Sequence, residues 1–397
     1  RDELRRQQRT VRSDAAALWE RLTESGGTGS LAEDAAPAEL IAAASKLLEA
    51  AAGSADELKA FVRIQAEWLL RLGKGDEFVE PLLLGSQVLG ATCVGLARYR
   101  ALKSAEFDLC IIDEASKATA TEALVPMVRA RRWVLVGDQR QLPPFQEEAL
   151  GNPRVQDDHD LDPDELRRTL FDRFAETLPD ASRVMLRTQR RMTEAIGGLI
   201  SACFYSGELL NEGPEPLGPI SGVLPKPVTW LSTSRVPSRH EQSDHFESTS
   251  YVNLEEAREA IAVLRRLGRW FRPTPELESL HVLVLAPYRA QVAQLRHRVA
   301  GVQPDLPGLN IEVNTIDAVQ GREADVVIFS VTRSNPQNNL GFLGVEARAN
   351  VALSRAQRGL VIIGDAEFCG SKPGPLKAIL DHIGDHPQLC AIEEVKP

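Results

Sequence analysis

An apolar run, FDLCIIDEAS at residues 107–116, ends in two adjacent carboxylates, Asp113 and Glu114. In an open α/β sheet ligands sit beyond the carboxyl ends of the strands, so both side chains would project into a ligand crevice. One carboxylate there suits a hard, hydrated Mg²⁺, and the other suits a base that takes the proton of an attacking water. The plainer alternative is a strand-end pair that only caps the helix after it. A second run ends in a similar turn at VGDQRQLPPF (136–145). There Gly137 permits a tight turn, Asp138 and Gln141 bring polar groups beside the first pair, and Pro143-Pro144 stiffens the exit.

Such turns need strands to hold them, and the sequence supplies candidates. VLGATCVGLA (88–97), FDLCIID (107–113), RWVLVGD (132–138), HVLVLAP (281–287), ADVVIFSV (324–331) and GLVIIGD (359–365) are short apolar runs flanked by Asp, Gly or Pro. They read as strands of a parallel sheet buried on both faces. Helical stretches alternate with them, at 165–178 and at 253–268, the latter started by Asn253 as a cap with Glu256 three residues on. An α/β architecture follows. Residues 145–164 read as an acidic loop, and 211–250, rich in Pro, Gly and Ser, as a long irregular connection. Residues 1–85 carry Leu47, Leu48, Leu58, Phe61, Val62, Ile64 and Leu69 at three- and four-residue steps and are predicted to be helical, with GGTGS (26–30) as a break.

Length and composition set limits. A chain of 397 residues exceeds one hydrophobic core and calls for more than one domain. No stretch approaches the ~18 apolar residues of a membrane span, so no membrane partner is expected. A net charge of −10 argues against a purely electrostatic nucleic-acid binder, while leaving room for a locally basic groove. Cys93, Cys110, Cys203, Cys369 and Cys390 lie far apart without a C-x-x-C pair, which fits a reducing, cytoplasmic home rather than a disulfide framework or zinc ribbon. The DDHDLDPDE run (157–165) reads as solvated carboxylates rather than a metal site. The chain opens RDELRRQQRT, with neither methionine nor apolar signal core, and is read as part of a longer protein.

Further blocks follow in order: LGATCVG (89–95), LRTQRRM (186–192), LAPYRAQV (285–292), VNTIDAVQGREADVVIFS (313–330) and RANVALSRAQ (348–357). With DEAS and GDQRQ, they make the chain resemble superfamily 1 helicases, in the branch that includes the nonsense-mediated-decay helicase. LRTQRRM is similar to that family's L-x-x-Q-Y-R-M, LAPYRAQV to its T-P-Y-x-x-Q, the 313–330 block to its T-V-D-x-x-Q-G-x-E, and RANVALSRAQ to its R-x-N-V-A-x-T-R-A. The resemblance covers residues 90–365.

It implies two RecA-like parallel-sheet domains, the first incomplete, behind an N-terminal helical region: 1–85 a helical arm, 86–184 the downstream part of the first domain, and 185–397 the second. It implies an ATP-dependent helicase, 5′-to-3′, with ATP and Mg²⁺ as cofactors and a single strand of DNA or RNA as partner; the helical arm could meet a protein partner. Carried over by position, Asp113 would hold Mg²⁺, Glu114 would be the base and Gln141 would sense the terminal phosphate. Arg191 and Arg355 would be arginine fingers, and Gln189, Arg190, Gly321 and Glu323 would lie at the nucleotide. Thr92, Pro287, Tyr288 and Thr315 match positions that hold the single strand, where a ring such as Tyr288 can stack on a base.

The sequence departs from the family pattern in three ways. Arg190 stands where the family has an aromatic, so adenine stacking would fall to a guanidinium plane or be lost. Ser116 stands where the family has Ala or Gly, a change expected to be tolerated. No lysine lies in the phosphate-cradling frame G-x-x-x-x-G-K-[ST]: only Lys103 precedes a serine, and it lacks the glycines. The chain alone is therefore expected to hydrolyse ATP negligibly. The alternative is a non-hydrolysing nucleic-acid-binding or regulatory module on the same fold, which the intact carboxylate pair and both arginines disfavour.

Overall fold

The computed structural model describes residues 85–99, 102, 105–144, 153–160, 162, 165–166, 168–220, 222, 224–243, 250–274, 277–319 and 321–396, with residues 42, 64 and 83. The helices predicted over 1–85 and their GGTGS break lie almost wholly outside the described residues. Two compact units divide the chain, 1–106 and 107–397.

In the first unit, the strand predicted over 88–97 does not form. Residues 88–93 carry no regular ladder, and Val94–Arg98 is a 3₁₀ turn. Thr92 Oγ accepts the Gly95 amide at 3.0 Å, a local side-chain bond that draws the backbone into a turn instead of a sheet.

In the second unit the elements run β1 (Cys110–Ile112), α1 (Ala120–Met127), β2 (Trp133–Leu135), α2 (Pro153–Asp158), α3 (Leu170–Thr177), β3 (Thr188–Gln189), α4 (Glu194–Phe204), β4 (Leu210–Asn211), β5 (Val228–Ser232), β6 (Gln242–Ser243) and β7 (Tyr251–Val252). After them come α5 (Leu254–Trp270), β8 (Leu280–Ala286), α6 (Arg289–Val302), β9 (Leu309–Thr315), β10 (Ala324–Ser330), α7 (Glu346–Leu353), β11 (Ala356–Gly364), α8 (Ala366–Gly370), α9 (Pro375–Asp385) and β12 (Cys390–Glu394). β1 and β2 pair in parallel. Six further strands form one parallel sheet in the order β12-β5-β11-β10-β8-β9.

The central strands are apolar throughout because both their faces are covered. Successive residues point to opposite faces. Leu283, Leu285, Phe329, Leu360 and Ile362 pack with Ile196 and Leu199 of α4 and Ile379 of α9. Val282, Val284, Ile328, Val361 and Ile363 pack with Val263 and Leu264 of α5 and Leu295 of α6. The stretch read as irregular, 211–250, contains β5, an interior strand whose VTWLS is buried along its whole length. The acidic stretch contains α2, opened by Pro153, whose fixed φ suits a first helical position. Among the described residues no helix is long and apolar enough to cross a membrane.

Asn253 caps α5 as its type predicts, accepting the Glu256 amide at 3.1 Å. The expected reciprocal arm of the capping box is absent, because the Glu256 carboxylate turns into the core. It accepts Ser330 Oγ at 2.6 Å, the Thr332 amide at 2.7 Å and Asn253 Nδ2 at 3.1 Å. Burial pushes its pKa up to about 8, against the pull of the Ser330 and Thr332 bonds. The fold thus keeps a proton that the unfolded chain releases near the ordinary carboxyl value. Stability from this site is full at low pH and is lost as pH climbs from about 4.5 to about 8. Thermal unfolding at pH 5 and pH 8 is expected to show a larger loss for the natural protein than for Glu256→Gln, whose amide does not titrate. Equal losses would mean that Glu256 is already ionised in the fold at pH 5.

Candidate functional site

The turn after β1 carries both carboxylates. Asp113 Oδ1 accepts the Glu114 amide at 3.0 Å, and Glu114 lies in the left-handed region, φ 55° and ψ 37°, a conformation uncommon outside glycine. The bend is anchored from the second turn, since the Ala115 amide donates to the Val136 carbonyl at 2.7 Å. Ser116, read as a tolerated change, proves to be part of the same anchor: its buried Oγ accepts the Asp138 amide at 3.0 Å. Gly137 is required by this close approach, because a Cβ there would lie 2.8 Å from the Ser116 amide nitrogen. Asp138 in turn accepts Gln141 Nε2 at 3.0 Å, so the sensing candidate is held by the turn that carries it.

Asp113 supplies one hard oxygen donor group at a strand end. Among the described residues no group of three or more His, Cys, Asp and Glu could hold a metal ion. That donor set fits Mg²⁺ in its usual mode, one carboxylate completed by waters and substrate phosphates, rather than a cation held by protein alone.

The other nucleotide candidates gather at the amino-terminal edge of the six-stranded sheet. Gly321 (φ +78°) and Glu323 lead into β10, Arg355 leads into β11, and these two strands start side by side with Ala324 opposite Ala356. Gly321 has the positive φ that side-chain-bearing residues rarely adopt. Arg191 Nε donates to Glu323 Oε2 at 2.8 Å and its Nη1 to the Ser354 carbonyl at 3.4 Å. Arg355, 1% exposed, donates to the Val351 carbonyl at 3.0 Å, the Arg322 carbonyl at 3.2 Å and Ser354 Oγ at 3.0 Å. Burial lowers its pKa to about 10, the Arg191 charge adds to this, and Glu114, Tyr205 and Glu323 oppose it. It remains a cation at neutral pH.

Gln189 and Arg190 are engaged within the protein. Gln189 Oε1 accepts the amides of Arg191 (3.0 Å) and Met192 (2.8 Å), while Nε2 donates to the Met192 carbonyl and to Asn211 Oδ1, both at 2.9 Å. Its side chain shapes the loop that presents Arg191. Arg190 is exposed and pairs with Glu212, Nε to Oε2 at 3.1 Å.

The strand-holding candidates of this unit lie at the opposite, carboxyl-terminal edge. Pro287 and Tyr288 follow β8 and Thr315 ends β9, with Ala286 in register with Thr315. Here the structure departs from the stacking expectation for Tyr288. Its ring is 3% exposed, packed edge-on to Tyr251 (5.2 Å between centroids) and against Phe342 (5.4 Å), and its hydroxyl accepts Arg333 Nη1 at 3.3 Å. The accessible ring at this edge is Phe342, 47% exposed, which sequence reasoning passed over because it lies in an unremarkable GFLG turn. Thr92 belongs to the first unit and is exposed there.

A family model described as AAA domain matches residues 166–367, and a second with the same description matches residues 4–146. The chain belongs to this family, the superfamily 1 helicases of the branch that includes the nonsense-mediated-decay helicase. It is similar to an uncharacterised ATP-dependent helicase of Methanocaldococcus jannaschii, 31% identical over 76% of this chain and 44% of that protein. It is also similar to the DNA polymerase alpha-associated DNA helicase A of Saccharomyces cerevisiae, 31% identical over 67% of this chain and 40% of that protein. A third relative is the regulator of nonsense transcripts 1 homolog of Arabidopsis thaliana, 31% identical over 78% of this chain and 23% of that protein. The chain therefore spans less than half the length of each of these relatives.

Proposed function

We propose that this chain carries most of an ATP-driven motor that moves 5′-to-3′ along a single strand of nucleic acid. What supports this most is the arrangement across one sheet: Arg191, Arg355 and Glu323 gather at one edge, and Pro287 and Thr315 lie at the other. A change at the nucleotide edge can then be felt at the strand edge through packed strands.

Glu114 takes the proton of the attacking water, and Gln141 bonds to the terminal phosphate. Arg191 and Arg355 donate planar, charged N–H groups to the oxygens on which charge develops in phosphoryl transfer. Asp113 would hold Mg²⁺, which would supply charge neutralisation for phosphoryl transfer. At the other edge, the Thr315 hydroxyl and the backbone at Pro287 grip phosphates without reading bases. Residues 1–397 contain no phosphate-cradling G-x-x-x-x-G-K-[ST], and the motor as proposed needs such a cradle in addition to them. The test is ATP turnover by the full-length gene product, which single strands must stimulate and which residues 1–397 alone must lack.

A further inference from the structure

One side chain that no motif singled out joins the turn after β2 to the helix that leads into Arg355. Tyr205, the residue that ends α4, donates its hydroxyl proton to Asp138 Oδ2 at 2.5 Å. The same hydroxyl accepts Asn350 Nδ2 of α7 at 2.9 Å, and Asn350 Nδ2 also donates to the Arg140 carbonyl at 2.9 Å. The Arg140 carbonyl can only accept, which fixes the orientation of the Asn350 amide and hence the direction of every bond in the chain. Asn350 Oδ1 is buried without a hydrogen-bond partner, so the residue is kept for its donors at the expense of its acceptor. The turn is also seated by packing: Leu142 belongs to the same buried cluster as Met192, Ile196 and Leu199.

The connection reaches both nucleotide candidates. On one side Asp138 Oδ2 receives Gln141 Nε2 at 3.0 Å together with the Tyr205 hydroxyl. On the other side Asn350 precedes Val351, whose carbonyl accepts Arg355 Nε at 3.0 Å. Burial and the Asp138 charge push the Tyr205 pKa far up, so the phenol keeps the proton that it donates. A tyrosine used for packing alone would need neither bond, and phenylalanine would fill the same volume.

We propose that Tyr205 and Asn350 are positioning residues that latch the Asp138–Gln141 turn to α7, the helix that leads into Arg355, so that the phosphate contact of Gln141 sets where Arg355 stands. Granted the motor function proposed above, the latch acts on turnover and not on ATP affinity, because what it places is Arg355, which meets the phosphate only as charge develops there.

The experiment is steady-state ATP hydrolysis by the full-length gene product with saturating single-stranded DNA or RNA. Tyr205→Phe is expected to lower kcat about tenfold while KM for ATP and the melting temperature stay as in the natural protein. Asp138→Ala, which removes the acceptor at the other end of the latch, should lower kcat at least as far. Adding Tyr205→Phe to Gln141→Ala should cost nothing further, since residues acting through one contact are non-additive. An unchanged kcat in Tyr205→Phe overturns the latch, as does a loss that multiplies with that of Gln141→Ala. A loss matched by lower melting temperature and raised KM reduces Tyr205 to a packing residue and overturns it too. If the natural protein shows no strand-stimulated hydrolysis at all, the motor reading falls and the latch falls with it; normal hydrolysis with an indifferent Tyr205→Phe removes the latch alone.

Discussion

Replacing Glu114 by glutamine in the full-length gene product is expected to leave ATP bound and to cut strand-stimulated turnover by at least ~10², the scale of a lost general base. The amide fills the same space and keeps hydrogen-bonding capacity, but it cannot accept the proton of the attacking water. The left-handed backbone at Glu114 makes the residue a sharp test. A turn that merely caps a helix has no need of a glutamate at φ 55°, whereas a turn that must aim a carboxylate away from its neighbour at Asp113 does. Equilibrium ATP binding and single-turnover hydrolysis, measured together, separate the two roles. Unchanged hydrolysis would remove Glu114 from the chemistry and return the pair to helix capping.

The second large effect is expected at the arginines. Arg191→Gln should lower kcat by about 10³, the low end for an arginine finger, with little change in ATP affinity or melting temperature. Its guanidinium is about one-third exposed and pairs with a half-exposed Glu323, so the fold does not depend on it. Arg355→Gln should lower kcat as far and also destabilise the protein, because the buried guanidinium satisfies the Val351 and Arg322 carbonyls and Ser354 Oγ at once. Turnover against ATP concentration, paired with thermal unfolding, distinguishes the two variants. If the only defect of Arg191→Gln is weaker ATP binding, Arg191 acts on the ground state and is no finger.

The sheet was legible where a strand is buried on both faces, because HVLVLAP, ADVVIFSV and GLVIIGD have no other way to hide so much apolar surface. β5 was not, since VTWLS carries a threonine and a serine and sits between proline- and serine-rich flanks. Only its neighbours β11 and β12 reveal it as an interior strand. LGATCVG failed the other way: its residue types favour a strand, but the Thr92 bond to the Gly95 amide closes a turn first.

At the site, sequence spacing exposes candidates that share a turn, such as Asp113 with Glu114 or Asp138 with Gln141. It is silent on pairs brought together by the fold. Tyr205 and Asp138 are 67 residues apart and Asn350 and Arg140 are 210 apart, separations with no local signature. Glu256 misled for a related reason: three residues after a capping asparagine a glutamate reads as the partner in a capping box, and only the buried β10 beside it turns its carboxylate inward.

In the proposed motor, nucleotide chemistry at one edge of the sheet is tied to a single strand at the other. ATP turnover by the full-length gene product, measured with and without single-stranded DNA or RNA and repeated for residues 1–397 alone, tests it most directly. Turnover is expected to rise with added strand in the full-length product and to stay negligible in residues 1–397 in either condition. Turnover of the full-length product that is indifferent to single strands would contradict the coupling, whereas strand-stimulated turnover by residues 1–397 would leave it standing and overturn only the need for a phosphate cradle.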